Sequence, residues 1–111
     1  MNKCFSYRLY RGSCVQRGPY YIKDLRILNR AIEHSILIDN SIVSFMSQLD
    51  NGIPINTFVG DHSDTQVYKV TNILSELQNA DDVRPLLREK YCLSNLLRRY
   101  QEIKNPISSI V

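Results

Sequence analysis

Between residues 5 and 15 the stretch FSYRLYRGSCV alternates aromatic or apolar side chains with basic ones, the period-two pattern of a half-buried strand. QRGPYY follows as a turn punctuated by Gly18-Pro19. In YIKDLRILN the period changes to three, with Ile22, Leu25 and Leu28 predicting a short amphipathic helix that ends near Asn29. IEHSILID then reads as a buried strand, cut off by the polar triplet Asp39-Asn40-Ser41. SIVSFMSQL predicts one or two helical turns, Asp50-Asn51-Gly52 a turn, and Ile53, Ile55 and Phe58 a short strand. Beyond the loop GDHSD, Asp64 is placed to cap a helix through TQVYKVTNILSELQN, with Val67, Val70, Leu74 and Leu77 as its apolar stripe. Asp81 or Asp82 can cap a further helix that tolerates Pro85 in its first turn. Leu86, Leu87, Leu96 and Leu97 give that region its apolar face, and ISSIV is a loose tail.

Helix, buried strand, short helix, strand, helix is the grammar of an α/β protein with a parallel sheet. Reactive groups in such sheets gather at the carboxyl ends of the strands, where Asp39-Asn40-Ser41 stands. Pattern alone leaves two readings of this triplet open. Asp and Asn are common strand-exit residues, and they are also acid and metal-ligand chemistry.

Composition narrows the classes. At 111 residues the chain has room for one domain. The net charge of +3 can help a phosphorylated partner approach, yet it is far below the density of a nucleic-acid binder. Cys4, Cys14 and Cys92 are odd in number and lack C-x-x-C spacing, while His34 and His62 are far apart. A zinc site or disulfide framework is therefore unsupported, and a reducing compartment is the default. Neither a membrane-length apolar run nor a signal-peptide pattern is present. A soluble, intracellular protein, nuclear or cytoplasmic, is the expectation.

Several blocks carry more than pattern. RLYRGSCV, YIKDL, ILIDNS, NGIPINTF and DDVRPLLREKY, in this order and spacing, resemble the small C-terminal-domain phosphatases. This group is also called NLI-interacting-factor-like and belongs to the haloacid dehalogenase superfamily. DVRPLLREKYCLSNLL looks most like its small-phosphatase-like-2 subgroup. The resemblance implies the C-terminal portion of a haloacid dehalogenase-like parallel-sheet (Rossmann-like) domain over residues 1–103, with 104–111 as a flexible tail. It also implies a Mg²⁺-dependent serine/threonine phosphatase that acts on phosphoproteins through an aspartyl-phosphate, with a second aspartate as acid and base. Matched by motif, Lys23 would bind phosphate and separate clustered carboxylates. Asp39 would orient Lys23 and a metal-bound water, and Asn40, with Asp39, would serve the metal. Asp61 and Asp64 stay structural. Ile42 stands where the family usually has Pro.

The family's nucleophile lies in an Asp-x-Asp-x-Thr/Val motif on a central first strand, and this sequence contains none. The phosphate-binding Ser or Thr and the hydrophobic substrate-reading insertion have no counterpart either. The expectation is a truncated, inactive member with only part of its metal shell. Lacking its central strand, it would expose a strand edge and pair with itself or with another chain. The rival is a non-catalytic remnant that docks or complements a partner. Neither nucleic acid nor membrane enters either reading.

Overall fold

The computed structural model describes residues 6–56 and 65–104. Its first strand begins only at Val15: β1 (Val15–Arg17) pairs antiparallel with β2 (Tyr20–Ile22), and Val15 faces Ile22, Gln16 faces Tyr21 and Arg17 faces Tyr20. The turn between them is the expected Gly18-Pro19, and Gly18 takes φ 58°, a region where a side chain is strained. Gly18→Ala is expected to cost about 1 kcal/mol in a denaturant melt. Over the described residues 6–14, the strand expected through FSYRLYRGSCV is not formed. Residues Arg11–Ser13 make a 3-10 turn, and Tyr7 and Tyr10 are exposed. Alternation yields a strand only where a ladder partner exists, and none of the described residues pairs with this segment.

The helix expected over YIKDLRILN is also shorter than its period suggested. Lys23 follows β2, Asp24 is extended, and a 3-10 helix covers Leu25–Leu28. Asp24 caps it by accepting the Arg26 amide at 3.0 Å, and Asn29 ends it in the left-handed region. A period of three fits a 3-10 helix as well as one α-turn, and the side-chain cap decides where it starts.

β3 (Leu37–Asp39) and β4 (Gly52–Pro54) pair parallel, Ile38 opposite Ile53, and Ile55 N–H donates to Asp39 O at 2.9 Å beyond the last pair. This is the parallel pairing that the element order predicted. Among the described residues the regular structure is a mixed α/β arrangement of two separate two-stranded sheets and three α-helices, joined by 3-10 turns. Buried Asn51 ties the strand starts together, its Nδ2 donating to Ile32 O at 2.7 Å and Ser35 O at 2.8 Å. The strand expected in IEHSILID is neither as long nor as buried as its composition suggested. Residues Ile32–His34 form a 3-10 turn, and Ile38 is 38% exposed. Aliphatic side chains on both faces of a strand are buried only when both faces are covered.

α1 (Gln66–Leu77), α2 (Arg84–Tyr91) and α3 (Leu93–Lys104) follow. Ile53, Ile73, Leu77, Val83 and Leu87 form the core, with Ile36, Val70 and Tyr91 packed against it. α1 meets the expected stripe in part, with Leu77 buried and Val70 packed on the core, and Ile73 takes the place expected of Leu74. Ile73 and Leu77 are buried, while Val67 is 68% exposed and Leu74 faces outward. In the C-terminal region Leu87 and Leu93 are buried and Leu86 and Leu96 are not, and left-handed Cys92 divides the run into two helices. Asp82 does supply a cap, accepting the Arg84 amide at 3.0 Å, and Pro85 sits in the first turn of α2. Phe58 of the expected strand and the Asp64 cap lie outside the described residues, as do Asp61 and His62.

Candidate functional site

Ile22 is buried, so the alternation along β2 turns Tyr21 and Lys23 to the opposite face, and both line an open cavity of about 770 Å³. The opposite wall comes from residues 36–44 and includes Asp39 and Asn40 at the carboxyl end of β3. Lys23 Nζ meets Asp39 Oδ2 at 2.5 Å. The carboxylate is 8% exposed and the lysine 48%, so a buried acid is joined to a base that still reaches solvent. Thus the structure brings together all three residues that the sequence singled out.

The chain around them fixes this geometry. Lys23 N–H donates to Ser44 O at 3.1 Å, docking the end of β2 on the 3-10 turn Ile42–Phe45. Asp24 receives the Arg26 guanidinium at 2.6 Å and Gln48 Nε2 at 2.8 Å, while Gln48 Oε1 accepts the Leu25 amide at 2.9 Å. Asp39 Oδ1 accepts the Ser41 amide at 2.9 Å, a turn closed by the side chain's own carboxylate. The polar triplet is therefore both an exit turn and a charged site, since one oxygen of Asp39 serves each role.

Burial pushes the Asp39 carboxyl upward. The Lys23 hydrogen bond, the Ser41 amide, the Lys23 charge and the Ser44 hydroxyl together outweigh it and hold Asp39 below the ordinary carboxylate range. For Asp24 the Arg26 guanidinium and amide and the Gln48 amide lower the pKa further still. Both folded values lie below the unfolded one, so these groups stabilise the fold above about pH 4, and the contribution is lost as pH falls through the folded values. Urea midpoints measured from about pH 6 to about pH 3 are expected to drop on the acid side, and Asp24→Asn is expected to flatten that drop.

The sequence pattern gave Ser44 and Arg11 no role, and Ser41 only a place in the polar triplet. Ser44 holds Lys23 by its carbonyl and Asp39 by its hydroxyl. Arg11 stands over the Tyr21 ring at 5.0 Å on the same cavity. A serine five residues beyond an acid carries no signal by itself. The contact exists because a 3-10 turn folds back onto the strand.

A magnesium ion prefers several hard oxygen ligands in octahedral array. Asp39 and Asn40 carry such oxygens and line the same cavity, but the Asp39 carboxylate is already neutralised by Lys23 and bonded to Ser41. Among the described residues no group of three His, Cys, Asp or Glu side chains gathers to complete a shell. This donor set does not by itself fit a tightly held Mg²⁺. No helix among the described residues is long and apolar enough to cross a membrane.

The model of the NLI interacting factor-like phosphatase family matches residues 1–84. The chain is similar to CTD small phosphatase-like protein 2 of Dictyostelium discoideum, with 43% identity over 96 residues that cover 86% of this chain and 17% of that protein. It is 40% identical to CTD small phosphatase-like protein 3 of Caenorhabditis elegans over 98 residues, 87% of this chain and 34% of that protein. Against carboxy-terminal domain RNA polymerase II polypeptide A small phosphatase 1 of Homo sapiens it is 34% identical over 85 residues, 77% of this chain and 33% of that protein. The matches thus span between 17% and 34% of the length of these relatives.

Proposed function

The chain belongs to the NLI interacting factor-like phosphatase family, and on that premise we propose that Lys23, Asp39 and Asn40 are one half of a protein serine/threonine phosphatase site. The observation that carries this reading is the 2.5 Å contact of Lys23 with a buried Asp39 at the end of a parallel strand, with Asn40 on the same cavity. A phosphoserine phosphate entering there meets the half-exposed ammonium of Lys23, which the carboxylate behind it holds in place. Lys23 binds and positions the anion. Asp39 keeps the ammonium oriented, and Asn40 offers an amide oxygen to a cation whose remaining ligands come from elsewhere.

In the family's chemistry an aspartate attacks phosphorus and a second aspartate moves the proton. This sequence contains no Asp-x-Asp pair to do either. The polypeptide of 111 residues is therefore a phosphate-binding half-site that does not turn over alone. Its missing half is a strand laid along the open edge of β3. β3 has a ladder partner on one edge only among the described residues, and apolar residues line the open grooves on both of its faces, Leu37 on one and Ile38 on the other.

Two measurements test this. The pure chain with Mg²⁺ is expected to show no hydrolysis of an aryl phosphate above the uncatalysed rate, while inorganic phosphate perturbs the NMR signals of Lys23 and Asn40. Turnover that disappears on Asp39→Ala would overturn the half-site reading. Phosphate binding unchanged by Lys23→Ala would remove Lys23 from its role.

A further inference from the structure

Charge is divided unevenly along this chain. Residues 1–31 hold seven Lys and Arg against the single acid Asp24, a net of +6. The other 80 residues hold seven bases and ten acids, a net of −3. The basic part builds one wall of the cavity at Lys23, through residues between Leu9 and Leu28.

Within that wall the charges are not equivalent. Lys23 is matched by Asp39 at 2.5 Å, and Asp24 by Arg26 at 2.6 Å. Arg11 has no carboxylate partner among the described residues, and its guanidinium lies over the face of Tyr21 at 5.0 Å. Stacking on an aromatic ring orients the planar group and leaves its edge free to meet a carboxylate. Tyr21, which carries Arg11 over its ring, and Lys23 are two residues apart and line the same cavity, so their backbone positions lie at most about 7 Å apart. An extended peptide covers that distance in two residues.

We propose that this site takes phosphoserine peptides carrying an Asp or Glu one or two residues from the phosphoserine, and that Arg11 receives that carboxylate. The proposal rests on Lys23 as the phosphate-binding group and adds to it the class of peptide that the site selects. Lys23 receives the phosphate, Arg11 the neighbouring acid, and exposed Tyr10 on the same wall gives an aromatic surface for the peptide between them. Diffuse basic charge alone would favour any polyanion. One guanidinium held over Tyr21 on the same cavity favours an acid close to the phosphoserine.

The test is fluorescence anisotropy with three labelled peptides of equal length: a phosphoserine peptide with Asp two residues away, the same peptide with Asn there, and the unphosphorylated Asp peptide. The acidic phosphopeptide is expected to bind about two- to fivefold tighter than the Asn version, the range of one solvent-exposed charge pair. Arg11→Gln should close that gap, Arg11→Lys should keep part of it, and circular dichroism should be unchanged because Arg11 is exposed. Equal binding of the two phosphopeptides, or a gap that survives Arg11→Gln, overturns the proposal while leaving the phosphate site standing. A single-stranded RNA of equal charge that displaces the acidic phosphopeptide more effectively than that unlabelled peptide does also overturns it. If neither phosphopeptide binds, or if Lys23→Ala binds both undiminished, the phosphate reading itself has failed.

Discussion

Phe45→Ala is expected to destabilise the chain by about 3–5 kcal/mol and to remove its cooperative unfolding transition. Phe45 is 1% exposed and among the largest fully buried side chains. Its ring lies where a side chain on Gly52 would sit. A Cβ built there would meet Phe45 Cδ1, with Leu93 Cδ1 at 2.6 Å and Phe45 Cε1 at 2.7 Å. Phe45 therefore packs directly on the start of β4 and on α3, and its loss opens a cavity at the junction of three elements. Small domains have about 5–15 kcal/mol in total, so a loss of this size is most of what they hold. Urea melts followed by far-UV circular dichroism measure it, and an unchanged midpoint would refute the packing described. Ile38→Ala supplies the contrast. On the open face of β3 it is expected to cost under about 1 kcal/mol, because Ile38 retains much of its exposure in the folded chain.

Lys23→Met is expected to abolish phosphate binding and to change how stability depends on pH. With the ammonium removed, burial of Asp39 is opposed only by the Ser41 amide and the Ser44 hydroxyl. Its folded pKa then moves up toward, or past, the unfolded value of about 3.9. The wild-type contribution of Asp39, present above the unfolded value and lost as pH falls through the folded one, should shrink or reverse sign in the variant. A double-mutant cycle of Lys23→Met with Asp39→Asn, measured at neutral pH, should give a coupling of about 1–2 kcal/mol, modest because Lys23 is half exposed. A coupling near zero would mean that the contact does not hold the site together.

Which side chains meet at the cavity was more legible in the sequence than the fold was. Lys23, Asp39 and Asn40 lie in short blocks whose order and spacing resemble a family, so their chemistry can be read without knowing which elements touch. Ser44 belongs to no such block, and Arg11 lies in RLYRGSCV, where the block gives it no role of its own. Ser44 reaches Asp39 because a 3-10 turn folds back, and Arg11 reaches the cavity because Tyr21 offers it a ring. The hydrophobic pattern placed the Gly18-Pro19 turn, the α1 helix and the parallel pairing near their observed positions. It failed in FSYRLYRGSCV, where alternation had no strand to pair with, and in part on α1, where two apolar stripes were available.

By itself the sequence determined the residues on hand: a lysine, an acid and an amide in family spacing, a basic first third, and no Asp-x-Asp pair. These are matters of residue identity and spacing, which no packing can alter. Tertiary structure alone decided that Lys23 and Asp39 meet at 2.5 Å although sixteen residues separate them. It also decided that Val67 and Ile38 face outward while Ile73 and Ile53 are buried. Which face of an aliphatic element is buried depends on what lies against it, and that partner is set by chain path and strand pairing. In SILIDNS both kinds of information coincide: its letters supply the charge, and the fold turns that charge toward an open cavity.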